Sequence, residues 1–293
     1  MRTTQQLSQS TDPSIQEQTL DSQVLALPYV KGEGCGNTFL IFDWLDSSSE
    51  VGPEVIQAVH SLLIKENRDD ALILKKEYQT DHQFVLTMIV LEPDQSIAEF
   101  CGNGARVVSR YLQHKMGDQK LEYYLKTSQG MRKIWWENTV FFVDMGVTKL
   151  HFRKSKFFRS TTFTLGLGVR QFTFFWTETL EPHLVTFDEI HENELMDLGL
   201  YLNHHQRQFF PFGINLNKAE LLSERGLRVT TFERGVNRIT AACGTGATSC
   251  AMLARAQGRL QGNGPIQVFL KAGTIMIHPK KRSSVMSGPA NIE

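Results

Sequence analysis

The strongest constraint on this chain is a short motif that occurs twice. Cys101-Gly102-Asn103-Gly104-Ala105 and Cys243-Gly244-Thr245-Gly246-Ala247 each place a cysteine before Gly-x-Gly-Ala and then run into a helical pattern. A cysteine at a helix start meets unpaired backbone N–H groups and the positive end of the helix dipole. That field lowers a thiol pKa from about 8.5 toward neutrality, and the glycines let the backbone approach a bound anion. One such motif predicts a reactive cysteine. Two predict a pair of thiols acting on one substrate, on two related halves of one chain.

The rest of the sequence follows the same duplication. Strands are predicted at Val24–Val30, Phe39–Phe42, Ala71–Leu74 and Phe84–Leu91, with a turn at Gly32–Gly36 and a helix over Val51–Lys65, before the first motif helix. Short strands fill residues 121–177. A strand at His183–Phe187, a helix over Ile190–His204 and strands at Ile214–Leu216 and Leu227–Glu233 then precede the second motif helix. The two cysteines lie about half a chain apart, as an internal duplication requires. Both motif helices lack a long charged face: Val107, Val108, Tyr111 and Leu112 in one, Ala247, Cys250, Ala251 and Ala254 in the other. They should therefore be buried, each inside a curled sheet. The expected class is α+β, with two pseudo-symmetric domains, each a curled sheet or barrel around a central helix. The expected division is a disordered arm at 1–25, a first domain of 26–145 plus 285–293, and a second of 146–284.

Composition narrows the function. Lysine plus arginine equals aspartate plus glutamate, 31 each, for a formal net charge of zero. That balance argues against a nucleic-acid or anionic-membrane binder; the local runs Lys280-Lys281-Arg282 and Arg153-Lys154-Ser155-Lys156 read as solvated loops or strand edges. No apolar stretch approaches the roughly 18 residues of a membrane span. The four cysteines form no Cys-x-x-Cys pair, so neither a zinc site nor a thioredoxin motif is predicted. Cys250 reads as a core residue. Free thiols imply a reducing, cytoplasmic setting, and Gly-x-Gly without a third glycine or a following ribose-binding acid is no dinucleotide fingerprint.

From about Val30 to the C-terminus the chain resembles the diaminopimelate epimerase family. The resemblance rests on Gly34-Cys35-Gly36-Asn37-Thr38-Phe39, Cys101 to Arg106, Glu233-Arg234-Gly235-Val236, Cys243 to Ala247 and the Met286-Ser287-Gly288-Pro289-Ala290 ending, in order and at compatible distances. It implies an active site between the two halves, with the C-terminal residues returning to the first. It also implies interconversion of LL- and meso-diaminopimelate, a step of lysine and peptidoglycan-precursor synthesis. Cys101 and Cys243 would act as base and acid on opposite faces of the α-carbon, with no cofactor and no metal. His183 and Glu233 would each assist one thiol. Asn37, Asn215 and Arg234 would bind substrate, Arg234 through the distal carboxylate. The amides of Gly102, Asn103, Gly244 and Thr245 would hold the α-carboxylate. Arg106 is expected as a structural partner of its helix. The expected partner is a small amino acid, with no nucleic acid and no membrane; a homodimer is compatible.

The sequence departs from the family in three places. Glu92-Pro93-Asp94-Gln95-Ser96 stands where Asn-x-Asp-Gly-Ser is usual, Leu180-Glu181-Pro182-His183 replaces Gly-Asn-Pro-His, and Asn237-Arg238-Ile239-Thr240 replaces Gly-Glu-Thr. Glu92 and Glu181 thus replace neutral substrate contacts. A carboxylate there repels a distal carboxylate and attracts an ammonium, unless Arg234 and Arg238 rebalance it. The alternatives are a racemase or epimerase of another amino acid, free of pyridoxal phosphate, or a non-catalytic binding protein on the same fold.

Overall fold

The computed structural model describes residues 27–117, 121–150, 162–281 and 283–293. The expected arm at 1–25 and the basic run at 153–156 lie outside them. The first half runs β1 (Val30–Gly34), β2 (Asn37–Trp44), α1 (Pro53–Lys65), β3 (Asp70–Gln79), β4 (Gln83–Leu91), β5 (Ile97–Ala98), α2 (Gly102–Met116), β6 (Glu122–Thr127), β7 (Gly130–Glu137) and β8 (Val140–Gly146). After β9 (Lys149–Leu150) and β10 (Thr162–Leu167) the order returns as β11 (Arg170–Thr179), β12 (Glu181–Thr186), α3 (Glu192–His205), β13 (Asn215–Ser223), β14 (Gly226–Glu233), β15 (Arg238–Ile239) and α4 (Gly244–Ala256). It continues as β16 (Ile266–Leu270), β17 (Gly273–Pro279) and β18 (Ser284–Gly288), and the chain ends with β19 (Asn291–Ile292).

Pairing repeats with the order. In the first half β1–β2 and β3–β4 are antiparallel, while β2–β3 and β4–β6 are parallel across α1 and α2. In the second, β11–β12 and β13–β14 are antiparallel, while β12–β13 and β14–β16 are parallel across α3 and α4. A parallel pair needs a crossover of a dozen or more residues, and each is supplied by one helix. β18 pairs with β8, and β19 with β1, so the C-terminus joins the first half and hydrogen-bonds all nineteen described strands into one curled sheet.

The apolar strand runs are explained by helices on both faces. On β2 and β3, Phe39, Ile41, Leu72 and Leu74 face the core around α2, while Leu40, Phe42, Ala71 and Ile73 pack on Val59, Leu62 and Leu63 of α1. In the second half Leu184, Leu216 and Phe232 meet Leu195, Leu198 and Leu202 of α3, while Val185 and Ala219 join Ala247, Cys250, Ala251 and Ala254 of α4 in the inner core. Both motif helices are buried at their apolar faces, as their composition requires.

The amino-terminal strand differs from expectation. It spans Val30–Gly34, where a turn was expected, and only Cys35 and Gly36 turn, with φ of 56° and 80°. Gly32 and Gly34 are there for close packing: a Cβ on Gly32 would lie 2.5 Å from Val107 Cγ1, and one on Gly34 2.9 Å from Val107 Cγ2. Their pattern therefore marks a helix pressed on a strand, which sequence alone does not separate from a turn.

Candidate active site

The two cysteines occupy matching positions. Cys101 is the N-cap of α2 (φ −121°, ψ 109°) and Cys243 the N-cap of α4 (φ −129°, ψ 109°). Each sulfur accepts a hydrogen bond from the third helical residue, Gly104 N at 3.3 Å and Gly246 N at 3.4 Å. The helices meet head to head. A Cβ on Gly102 would lie 3.7 Å from Gly244 Cα, and Met286 sits against both glycines. A cavity of about 150 Å³ opens at this junction. Its walls include Asn37, Cys101, Gly102, Asn103, Asn215, Glu233, Arg234, Cys243, Gly244 and Thr245, together with Glu92 and Glu181.

Strand register shows which residues correspond between the halves. His183 pairs with Asn215 as Phe39 pairs with Asp70, and Leu216 pairs with Phe232 as Ala71 pairs with Leu91. One residue beyond these pairs, Glu92 corresponds to Glu233. Asn37 and Glu181 correspond as the first residues of β2 and β12. The framework is symmetric; the charges mounted on it are not.

On the Cys243 side, the Glu233 carboxyl neighbours the thiol, and burial raises it to about 7. Burial first, and then the Glu233 charge, push the Cys243 thiol well above its ordinary value, which reverses the lowering expected at a helix start because burial outweighs the helix field; Thr245 Oγ1, 3.4 Å from Sγ, opposes the rise. On the Cys101 side the neighbouring carboxyl is Asp70, a residue the sequence reading did not single out. Asp70 lies two residues before Leu72, which touches the Gly104 turn of α2, and the two share the inner face of β3. Burial, then Glu92 and Glu233, raise Asp70 to about 8. Burial and the Asp70 charge raise Cys101 in turn. The available sequence signal was an acidic pair, Asp69-Asp70, at the head of an apolar strand.

His183 is placed differently from its expected role. It does not line the cavity. It is fully buried on the inner face of β12, where Asn217 Nδ2 donates to its Nδ1 at 3.1 Å. Asn217 in turn accepts from Thr231 Oγ1 at 2.9 Å. Burial, reinforced by Arg234, lowers the imidazole to about 3, so it stays neutral. Its position supports the floor beneath α4: a Cβ on Gly246 would fall 2.4 Å from Asn217 Oδ1 and 3.2 Å from Cys243 Sγ. The Gly246→Ala variant should accordingly displace Cys243 and lose about 1–3 kcal/mol of stability. Chemical denaturation with assay of any α-proton exchange tests this; an unchanged midpoint with full activity would refute the placement.

At the other end of the cavity, Arg234 is already engaged. Its NH1 donates to Phe212 O at 3.0 Å and its NH2 to Glu181 Oε1 at 3.4 Å, while Asn215 Nδ2 donates to Glu181 Oε2 at 3.1 Å. Leu180, where the family has glycine, takes φ 62° beside Glu181. Asn103 Nδ2 donates to Asn37 Oδ1 at 2.6 Å, which leaves buried Asn103 Oδ1 without a hydrogen-bond partner. Arg106 stays out of the cavity, fully buried, with bonds to Pro289 O and Met286 Sδ, in keeping with a structural role.

These buried acids tie stability to pH. Asp70 and Glu233 titrate at about 8 and 7 when folded, against 3.8 and 4.5 otherwise. The folded state therefore holds protons the unfolded chain has released, and the associated stability is lost as pH rises through 7–8. His183, depressed from 6.5 to about 3, contributes oppositely, but only below pH 6.5. Between pH 6.5 and 8.5 the melting temperature should fall by roughly 5 °C, and by less in Asp70→Asn. Calorimetry across that range checks it; a rising melting temperature would refute it.

A family profile for diaminopimelate epimerase matches residues 29–151 and 175–293, one stretch in each half. The chain belongs to the diaminopimelate epimerase family. Among solved structures, a probable proline racemase from Agrobacterium radiobacter K84 is similar with a TM-score of 0.66 at 12% identity, over 90% of each chain. A hydroxyproline epimerase from Agrobacterium vitis gives 0.63 at 13% identity, over 90% of this chain and 88% of that one. A phenazine biosynthesis protein of the PhzF family from Enterococcus faecalis gives 0.61 at 11% identity, over 90% and 95%. At these identities the likeness establishes the fold. The fold and family are those of isomerases and epimerases; the substrate is a separate question. No helix among the described residues is long and apolar enough to cross a membrane.

Proposed function

We propose that this protein inverts the α-carbon of a free amino acid by two-base proton transfer between Cys101 and Cys243, with LL- and meso-diaminopimelate as the first pair to test, in the supply of lysine and peptidoglycan precursors. The observation that carries this reading is the matched pair of N-cap thiols at two helix starts that meet across one cavity. A thiolate on one side takes the α-proton. The thiol opposite delivers a proton to the other face, and the electron pair of the broken C–H bond is held meanwhile on the α-carbon and its carboxylate.

The first N–H groups of a helix have no intrahelical acceptor. Gly104 and Gly246 direct theirs to the sulfurs, so the N–H groups of Gly102, Asn103, Gly244 and Thr245 are the ones suited to the α-carboxylate. Two helix dipoles then stabilise the charge that develops there. Asn103 Oδ1 is an acceptor without a partner, suited to the α-ammonium. Glu233 and Asp70, each beside one thiol, can exchange protons with it near neutral pH.

A second reading, an epimerase of another amino acid, is favoured by the Glu181–Arg234 pair, which occupies the arginine expected to hold a distal carboxylate. Proton NMR of LL-diaminopimelate in deuterated water with the reduced protein tests the first reading. Loss of the α-proton signal with formation of the meso form would support it. No exchange with any amino acid would overturn both.

A further inference from the structure

The charges lining the cavity do not suit a substrate with two carboxylates. Five acidic residues line it, Asp69, Asp70, Glu92, Glu181 and Glu233, against Arg234 and Arg238. The two arginines are paired, Arg234 with Glu181 at 3.4 Å and Arg238 with Asp69 at 3.8 Å. Asp70 and Glu233 stand beside the thiols. Glu92 remains: its carboxylate accepts from the Ser96 hydroxyl, and no cationic side chain bonds it among the described residues.

The position of Glu92 makes this imbalance specific. Glu92, Glu181 and Arg234 also border an adjoining recess with Glu99 and Phe212, and neither cysteine reaches that recess. This is the distal end, away from the reacting carbon. A distal carboxylate placed here would meet Glu92 and Glu181, and its arginine would first have to leave Glu181 and the Phe212 carbonyl. A distal ammonium meets the opposite situation. It finds Glu92 with no cation bonded to it and Glu181 with only one, in a partly desolvated setting where an unpaired charge is costly.

Resting on the two-thiol reading above, we infer that the distal subsite takes a cation, and that basic amino acids lacking a second carboxylate are racemised at this site. L-lysine, which is diaminopimelate without its distal carboxylate, is the direct probe. The chemistry balances without a further reactant: one Cα–H bond breaks to one sulfur, one forms from the other, and solvent resets the two thiols.

The test compares L-lysine, LL-diaminopimelate and L-glutamate with the full-length reduced protein in deuterated water, by α-proton NMR and chiral chromatography. Lysine should exchange with a kcat/KM equal to or above that of diaminopimelate, and glutamate should not exchange. Glu181→Asn, which frees Arg234 and removes one acid, should shift the diaminopimelate-to-lysine ratio upward by roughly a hundredfold, the scale of a desolvated charge pair. Should that variant fail to fold, Glu92→Gln is the second probe, expected to lower lysine turnover roughly tenfold relative to diaminopimelate. Exchange of diaminopimelate or glutamate without lysine, or a ratio unmoved in both variants, would overturn the inference and leave the epimerase standing. Exchange of none of the three would overturn the epimerase reading and the inference with it.

Discussion

The Cys101→Ser and Cys243→Ser variants are each expected to lose at least about a thousandfold in inversion of the α-carbon while folding normally. Serine is far more weakly acidic than cysteine, so its base form is much harder to reach at any working pH. The fold should tolerate the change because both cysteines are N-caps whose sulfur accepts one backbone N–H. Serine is among the preferred N-cap residues, and its shorter side chain accepts the same bond. The melting temperature should therefore move little while turnover collapses. That combination separates lost chemistry from lost structure. Near-normal inversion of the α-carbon in either variant would refute the two-base mechanism, and loss of both stability and activity would leave the thiols as structural caps.

Much of this arrangement was legible in the sequence, for a physical reason. A motif that must start a helix, approach an anion and present a sulfur uses few residue types, so Cys-Gly-x-Gly-Ala is distinctive wherever it occurs twice. The buried central helices were equally legible, because Ala251 and Ala254 in one and Val107 and Val108 in the other leave no long charged face. What was hidden depends on three-dimensional register. Asp70 is an ordinary acidic residue until β3 is aligned on β2 and its inner face turned toward α2. His183 had the right neighbours in sequence, yet its side chain points into the floor under Gly246 instead of the cavity. The glycines of β1 suggested a turn because a close packing contact and a reversal of direction impose the same requirement for a missing Cβ. The Glu181–Arg234 pair was foreshadowed by the replacement of an asparagine, but only the structure joins the two side chains.

Glu233→Gln should separate acidity from catalysis at Cys243, and its two readouts should move in opposite directions. The Glu233 carboxyl, held at about 7 by burial, is partly ionised at neutral pH and can take the Cys243 proton and return it. Glutamine keeps the shape and a hydrogen bond but cannot take a proton. General acid–base assistance of this kind contributes about 10²–10⁴ in rate, so exchange should fall by roughly a hundredfold, and any inflection near pH 7 in its pH profile should vanish. The thiol should meanwhile become more acidic. The Glu233 charge raises Cys243 after burial does, and removing it lets the thiolate form at lower pH. Alkylation by iodoacetamide, followed at Cys243 by peptide mass spectrometry, should therefore accelerate at a fixed pH while Cys101 changes less. Asp70→Asn should produce the mirror image, accelerating alkylation of Cys101 because the Asp70 charge acts on that sulfur. A carboxyl that merely filled space would slow turnover without making its own thiol more reactive. Slower exchange with an unchanged alkylation profile in Glu233→Gln would thus exclude proton exchange between Glu233 and Cys243. Faster alkylation with slower exchange would mean that each thiol works with its own carboxyl, Asp70 on one side of the substrate and Glu233 on the other.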